Sequence, residues 1–280
     1  MKKVMIKMMI SALILATLLM SGCTKSFNLD FNFSSNKIKL TDEAVMSLPS
    51  GDATKLEIKN VTGGIYVSKS SGDQVSVKFE KKVNGQVEEE AQSVMDEIQI
   101  FAKEENSKLT IKAVTKDGTD FWKWKQQNHP MMNVSVDFYV TLPTDLESYD
   151  VTLITGNIEI EDLSGSFVVN DTTGNVTLSN VVMNGDNKVK LITGNIMVKS
   201  DIANANELSI NNVTGNVTLS LPEDANATLN ISLTTGNIDG SLLGKNSTAL
   251  GGTNVDKVLG NGKTKITIDN TTGNISVNKK

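Results

Sequence analysis

Apolar side chains recur at every second position over most of the chain. They are chiefly Val and Ile, the pattern of strands with one buried face. After residue 55 a single motif organises that alternation. It stands as Thr62-Gly63-Gly64-Ile65, Thr155-Gly156-Asn157-Ile158, Thr173-Gly174-Asn175-Val176, Thr193-Gly194-Asn195-Ile196, Thr214-Gly215-Asn216-Val217, Thr235-Gly236-Asn237-Ile238 and Thr272-Gly273-Asn274-Ile275. Successive threonines are 93, 18, 20, 21, 21 and 37 residues apart. Periods near 20 mark stacked repeats, in which each copy has no core until its neighbours cover it.

Alignment on the threonine exposes the expected core. Four residues before it stand Ile58, Val151, Val169, Val189, Ile210, Ile231 and Ile268, all β-branched. Three residues after it stand Ile65, Ile158, Val176, Ile196, Val217, Ile238 and Ile275, again all β-branched. Steps of two on both sides of a glycine describe strand, corner, strand. Gly63, Gly156, Gly174, Gly194, Gly215, Gly236 and Gly273 supply the corners at positive φ. Asn157, Asn175, Asn195, Asn216, Asn237 and Asn274 follow them, the residue type that best tolerates such backbone after glycine. Stacked corners place these asparagines ~4.8 Å apart, in reach of an amide ladder. The predicted fold class is all-β: a parallel β-solenoid with coils of roughly 20 residues.

Two details test that reading. The 37-residue interval fits two coils, the middle one having lost its motif around Gly251-Gly252. Two residues before the threonine, Asn60, Leu153, Asp171, Leu191, Asn212, Leu233 and Asn270 alternate between polar and apolar. Either some corners are polar and others packed, or one coil holds two motifs. The spacing favours the first, since ~20 residues already make two strands and two turns.

Other segments follow different patterns. The 93-residue interval carries an excursion over about residues 81–132. Within it Val87, Ala91, Val94, Met95 and Ile98 fall at helical spacing behind Glu88, Glu89 and Glu90, predicting one flanking helix, Gln86–Glu97. Val75–Phe79, Ile98–Ala102, Lys108–Val114 and Val134–Val140 read as strands. Near the start, Phe27, Leu29, Phe31 and Phe33 alternate with polar residues, as in a short edge strand or cap, and residues 37–52 read as a loop ending at Pro49-Ser50-Gly51.

The N-terminal residues carry an address. Lys2, Lys3 and Lys7 precede an apolar run from Met8 to Met20, too short to span a bilayer but the length of a signal-peptide core. Leu19-Met20-Ser21-Gly22-Cys23 then resembles a bacterial lipobox, in which the cysteine is acylated and becomes the new N-terminus. The resemblance implies a signal peptide over 1–22, lipid on Cys23, a tether over 23–50, a domain over 51–280, and a place on the extracytoplasmic face of a cell membrane. More than one acyl chain makes such anchoring stable.

Composition narrows the chemistry. The formal charge is −5, the 27 basic residues are all lysine, and Cys23 and His129 are single. An acidic chain without arginine is poorly suited to nucleic acid. One cysteine and one histidine exclude Cys/His metal sites, disulfide frameworks and most histidine-based triads. No metal, cofactor or catalytic residue is expected. Phe121-Trp122-Lys123-Trp124-Lys125 is the strongest candidate contact loop: if extended, it shows both tryptophans on one side among lysines, suited to a lipid interface, a wall polymer or an envelope protein. The competing expectation is that the tryptophans pack inward and the lysines snorkel. His129 has no partner in sequence, and Asp145, Asp150, Glu159 and Glu161 are the carboxylates that a carbohydrate-active β-helix enzyme would need to pair.

The Thr-Gly-Asn-Ile repeats, the opening Leu56-Glu57-Ile58-Lys59-Asn60-Val61-Thr62-Gly63-Gly64-Ile65 and the ending Lys263–Val277 together resemble the bacterial "putative adhesin" family of β-strand-repeat envelope proteins. The resemblance covers residues 50–280. It implies a surface interaction or scaffold role without catalysis, and brings no catalytic residues with it. An accessory or sensor of envelope stress is the other non-enzymatic role it permits.

Overall fold

The computed structural model describes residues 26–28, 38–49, 51–244 and 247–280. It is all-β with two short helices, and its sheet arrangement is mainly parallel. Cys23, the proposed signal peptide, and Leu29, Phe31 and Phe33 lie outside the described residues.

Each motif forms one rung. The arm before the corner stacks in register, Ile58 beside Val151, Val151 beside Val169, Val169 beside Val189 and Val189 beside Ile210. The arm after the corner does the same, Ile65 beside Ile158, then Val176, Ile196 and Val217. Every residue in these two files is at most 1% exposed. One motif per rung is therefore what the register gives. A short third side closes the turns after the Thr155, Thr173 and Thr193 corners: Ser164 pairs with Val182 and Val182 with Asp201. The bend into it is made by Asp162 (φ 56°) and Asn180 (φ 53°), residue types whose short polar side chains tolerate left-handed backbone.

The polar residues two before the threonine are buried among these files, as a mixture of polar and packed corners requires. Asn60, Asp171, Asn212 and Asn270 are each 4% exposed, while Leu153, Leu191 and Leu233 pack beside them.

The 37-residue interval is not two successive coils. The Thr272 rung lies between the Thr214 and Thr235 rungs: Glu207–Thr214 pairs with Lys265–Thr272, which pairs in turn with Thr228–Thr235. Beyond the Thr235 rung, Ser247–Leu259 runs antiparallel to Ala227–Asp239 and covers that end of the stack. The Gly251-Gly252 region belongs to this covering strand and not to a lost corner.

The opposite end is built differently. Lys108–Val114 and Asn133–Leu142 continue the two arms in register below the Thr62 rung, with Ile111 beside Ile58 and Phe138 beside Ile65. A helical insertion replaces the glycine corner between them. The antiparallel strands Gln74–Gly85 and Gln99–Glu105 extend the arms further, joined by helix α1, Glu88–Glu97. Ala91, Val94, Met95 and Ile98 are buried, whereas Val87 precedes the helix and is half exposed.

Two expectations are corrected here. Residues 38–49 are not a loop: Ile38–Pro49 is a 12-residue strand paired antiparallel along the whole of Gln74–Gly85. Ser26–Asn28 pairs on its far side with Thr41–Glu43. A second helix also exists, α2, Phe121–Asn128, where an extended loop was expected.

Candidate functional site

The corners form the most regular surface. All seven motif glycines have φ between 118° and 150°. The reason is visible at Gly194, where a Cβ would sit 1.6 Å from the Gly174 carbonyl oxygen of the rung below. The asparagines do form a ladder, chiefly from side chain to backbone. Asn175 N donates to Asn157 Oδ1 at 3.0 Å, Asn195 N to Asn175 Oδ1 at 3.1 Å and Asn216 N to Asn195 Oδ1 at 2.9 Å. Asn274 N then donates to Asn216 Oδ1 and Asn237 N to Asn274 Oδ1, following the spatial and not the chain order of rungs. Each Oδ1 accepts a backbone donor that the turn leaves free, so these asparagines satisfy a structural need.

At the first motif, Gly64 has no side chain to continue the ladder. Asp137 Oδ1 accepts its N–H at 2.6 Å, and the Tyr66 ring folds against it. Tyr66 stacks on Tyr139 at 4.8 Å and 7°, the rung spacing expressed as an aromatic pair. Burial holds both phenols above their ordinary value. Lys82 lies beside them, 2.8 Å from both Glu80 and Asp137. Partial burial works against its charge, but the two carboxylates together outweigh that and raise its affinity for its proton.

The aromatic segment is anchored rather than presented. Asp120 Oδ1 caps α2 by accepting Lys123 N–H at 2.8 Å. On a helix, residues two apart point to different sides. Phe121 is fully buried, and Trp122 and Trp124 are partly buried against the core, with ring centroids 5.3 and 5.9 Å from Phe121. The shared outward face predicted for the two tryptophans is therefore not formed. Lys123 is exposed, while burial lowers the proton affinity of Lys125. His129 ends the helix, its ring 5.3 Å from Trp124. Met131, not singled out from the sequence, is 95% exposed.

The four carboxylates come from different parts of the rung. Asp150 faces outward from the arm before the Gly156 corner, and Glu159 and Glu161 lie on the arm after it. Asp145 is 2.7 Å from Lys69 and accepts Ser164 N–H. A cleft of about 180 Å³ near the Pro49 end is lined mainly by apolar residues, among them Leu48, Val75, Ala102, Leu109 and Leu142. Among the described residues no group of three or more His, Cys, Asp or Glu has metal-binding geometry, and no helix is long and apolar enough to cross a membrane.

Buried charge stands at two places. Lys81 and Asp42, directly opposite on paired strands, meet at 2.7 Å with side chains 8% and 4% exposed. Asp171 is the other. Its Oδ1 accepts Thr172 N–H at 2.7 Å, but its Oδ2 is buried without a partner. Burial pushes its carboxyl up to about 6. The equivalent asparagines show what the position needs. Asn212 Nδ2 donates to Gly194 O at 3.2 Å, and Asn270 Nδ2 to Gly215 O at 2.9 Å, each the corner carbonyl of the adjacent rung. A Cβ on Gly174 would lie 1.5 Å from Gly156 O and 3.1 Å from Asp171 Oδ2, the disposition that Gly273 has with Gly215 O and Asn270 Nδ2 (2.0 and 3.3 Å).

Corner-stacked, mainly parallel strands with a helical insertion at one end are the architecture in hand, and the family follows from the sequence. The chain belongs to the Toastrack DUF4097 family, whose model matches residues 17–278. No curated protein matches it. Among solved structures it is similar to a "putative cell adhesion protein" from Clostridium sporogenes, at 15% identity over 86% of this chain and 100% of that one, with a TM-score of 0.44. It is also similar to a "putative adhesin" from Bacteroides fragilis, at 15% identity over 85% and 97% of the chains and a TM-score of 0.35. A "putative lipid binding protein" from Parabacteroides distasonis follows at 10% identity, 85% and 96% coverage and a TM-score of 0.27.

Proposed function

We propose that the chain is a lipid-anchored extracytoplasmic β-solenoid of adhesin type, an interaction scaffold that performs no catalysis. The observation that carries the reading is the register. One corner repeats in rung after rung, and the side chains that recur are spent on core and ladder. Supporting the anchor, Leu19-Met20-Ser21-Gly22-Cys23 follows a charged start and an apolar run. On this reading residues 1–22 are removed, Cys23 carries acyl chains, and much of the tether expected over 23–50 belongs to the folded unit, which already includes Ser26–Asn28 and Ile38–Pro49.

Cell fractionation with a labelled fatty acid tests the anchor. The native chain should be labelled and sediment with membranes, and Cys23→Ala should be neither. Label and sedimentation retained by Cys23→Ala defeat the anchor. For partners, the exposure of Met131 just beyond α2, next to Pro130 whose carbonyl accepts from Lys125 Nζ, favours lipid or wall polymer met through the end of α2. The packed tryptophans steady that surface and are not the contact.

A further inference from the structure

The Thr272 rung fills a gap that chain order leaves open. After Val217–Leu221 the chain passes through residues 222–226 and resumes at Ala227 two rungs higher. The edges on either side, Glu207–Leu221 and Ala227–Asp239, pair with the inserted rung and, among the described residues, not with each other. Ile266, Ile268, Ile275 and Val277 of that rung are fully buried. The inserted rung thus occupies a seat with a core and two edges that only a strand–corner–strand segment completes.

What fits the seat is specified. The occupant must place Ile or Val four before and three after a threonine, and glycine at the corner. It also needs a donor for the Gly215 carbonyl, which Asn270 supplies at 2.9 Å. Leu233, at the same position of the Thr235 rung, has no donor to offer. Residues 264–279 meet every condition. They join the covering strand through one turn, Leu259–Thr264, whose Gly260 (φ 55°) and Gly262 (φ 73°) hold it tight. The strand pairings of the seat are made by the inserted residues, which the same segment of another copy would reproduce, while the turn adds bonds from Asn261 N–H to Asn226 Oδ1, from Thr228 Oγ1–H to Gly262 O and from Lys263 Nζ to Ala203 O.

We propose that this seat is an interface for a second copy of the chain, which exchanges its 264–279 rung for the resident one to give a rung-swapped dimer. Opening the glycine turn gives up its own few bonds, and the strand pairings lost within one chain are regained between two, the usual economy of a swapped dimer.

The test uses two full-length variants with Cys23→Ser, one carrying Ser209→Cys and the other Thr267→Cys. These residues face each other across the seat, are half-buried and point outward. Partners on adjacent strands lie within disulfide reach. The two proteins are mixed, unfolded in urea, refolded together over a range of concentrations and oxidised. Exchange predicts a disulfide-linked heterodimer of the Ser209→Cys and Thr267→Cys chains on a non-reducing denaturing gel. Its share should rise with protein concentration and exceed the self-crosslinking of either variant alone. Light scattering should report a dimer of matching abundance. A heterodimer no more abundant than self-crosslinks, at every concentration, overturns the proposal. Asn211→Cys with Asp269→Cys, the next outward pair, repeats the measurement should either first variant fail to refold.

Discussion

Asp171→Asn should stabilise the protein at neutral pH and leave it nearly unchanged in acid. In the folded chain the Asp171 carboxyl is pushed up to about 6 by burial. In the unfolded chain it titrates at about 3.9. Between those values the folded state holds a proton that the unfolded state has released, so stability falls as pH rises through the window and levels off above it. A hundredfold difference in proton affinity corresponds to about 3 kcal/mol. The cost is a charged Oδ2 with no partner facing a corner carbonyl that neighbouring asparagines bond. Asparagine removes the charge, supplies the Nδ2–H donor for Gly156 O and keeps the Thr172 N–H bond. The expected gain is therefore about 2–3 kcal/mol at pH 7.5, falling towards zero near pH 4. Urea unfolding of both proteins at the two pH values, followed by tryptophan fluorescence, measures the difference of differences. A gain that is the same at both pH values, or a loss at pH 7.5, refutes the reasoning.

Four further outcomes follow from packing and exposure. Lys81→Met alone should cost about 3–5 kcal/mol by leaving Asp42 charged and buried, while Lys81→Met with Asp42→Leu should recover most of it; urea midpoints of the single and double variants decide. Gly194→Ala should cost more than about 3 kcal/mol, since its Cβ would strike the Gly174 carbonyl, whereas Gly185→Ala, at φ 58° with open space around it, should cost only about 1 kcal/mol. Trp124→Ala should lower the thermal midpoint by several degrees through lost burial, roughly 3 kcal/mol or more. Met131→Ser should leave the midpoint unchanged and weaken sedimentation with vesicles or wall fragments; unchanged sedimentation with both removes α2 from the contact surface.

The sequence made the corners legible because three chemical demands coincide there: a glycine approached by backbone, an asparagine satisfying the next rung, and β-branched residues two steps away. Ile38–Pro49 escaped because Asp42 and Ala44 occupy inward positions of its alternation, and the ion pair that makes Asp42 acceptable comes from Lys81, 39 residues on. The aromatic segment misled for another reason. Spacing of two suggests a shared side only in a strand, and the Asp120 cap that turns it into a helix is a single local bond. The order of the last rungs was unreadable in principle. Register is written in each motif, but motifs this alike do not say which neighbour each will choose. Asp171 was visible as a polar residue in a buried file, yet its meaning needed the carbonyl opposite it.

The out-of-order rung also bears on when each part of the chain can fold. Stacks built in strict succession can grow layer upon layer as residues emerge. This one cannot pass its Thr214 layer until residues up to 279 are free to join it. Its final layers then close as one event, so a chain only partly made keeps an unfinished end with open strand edges.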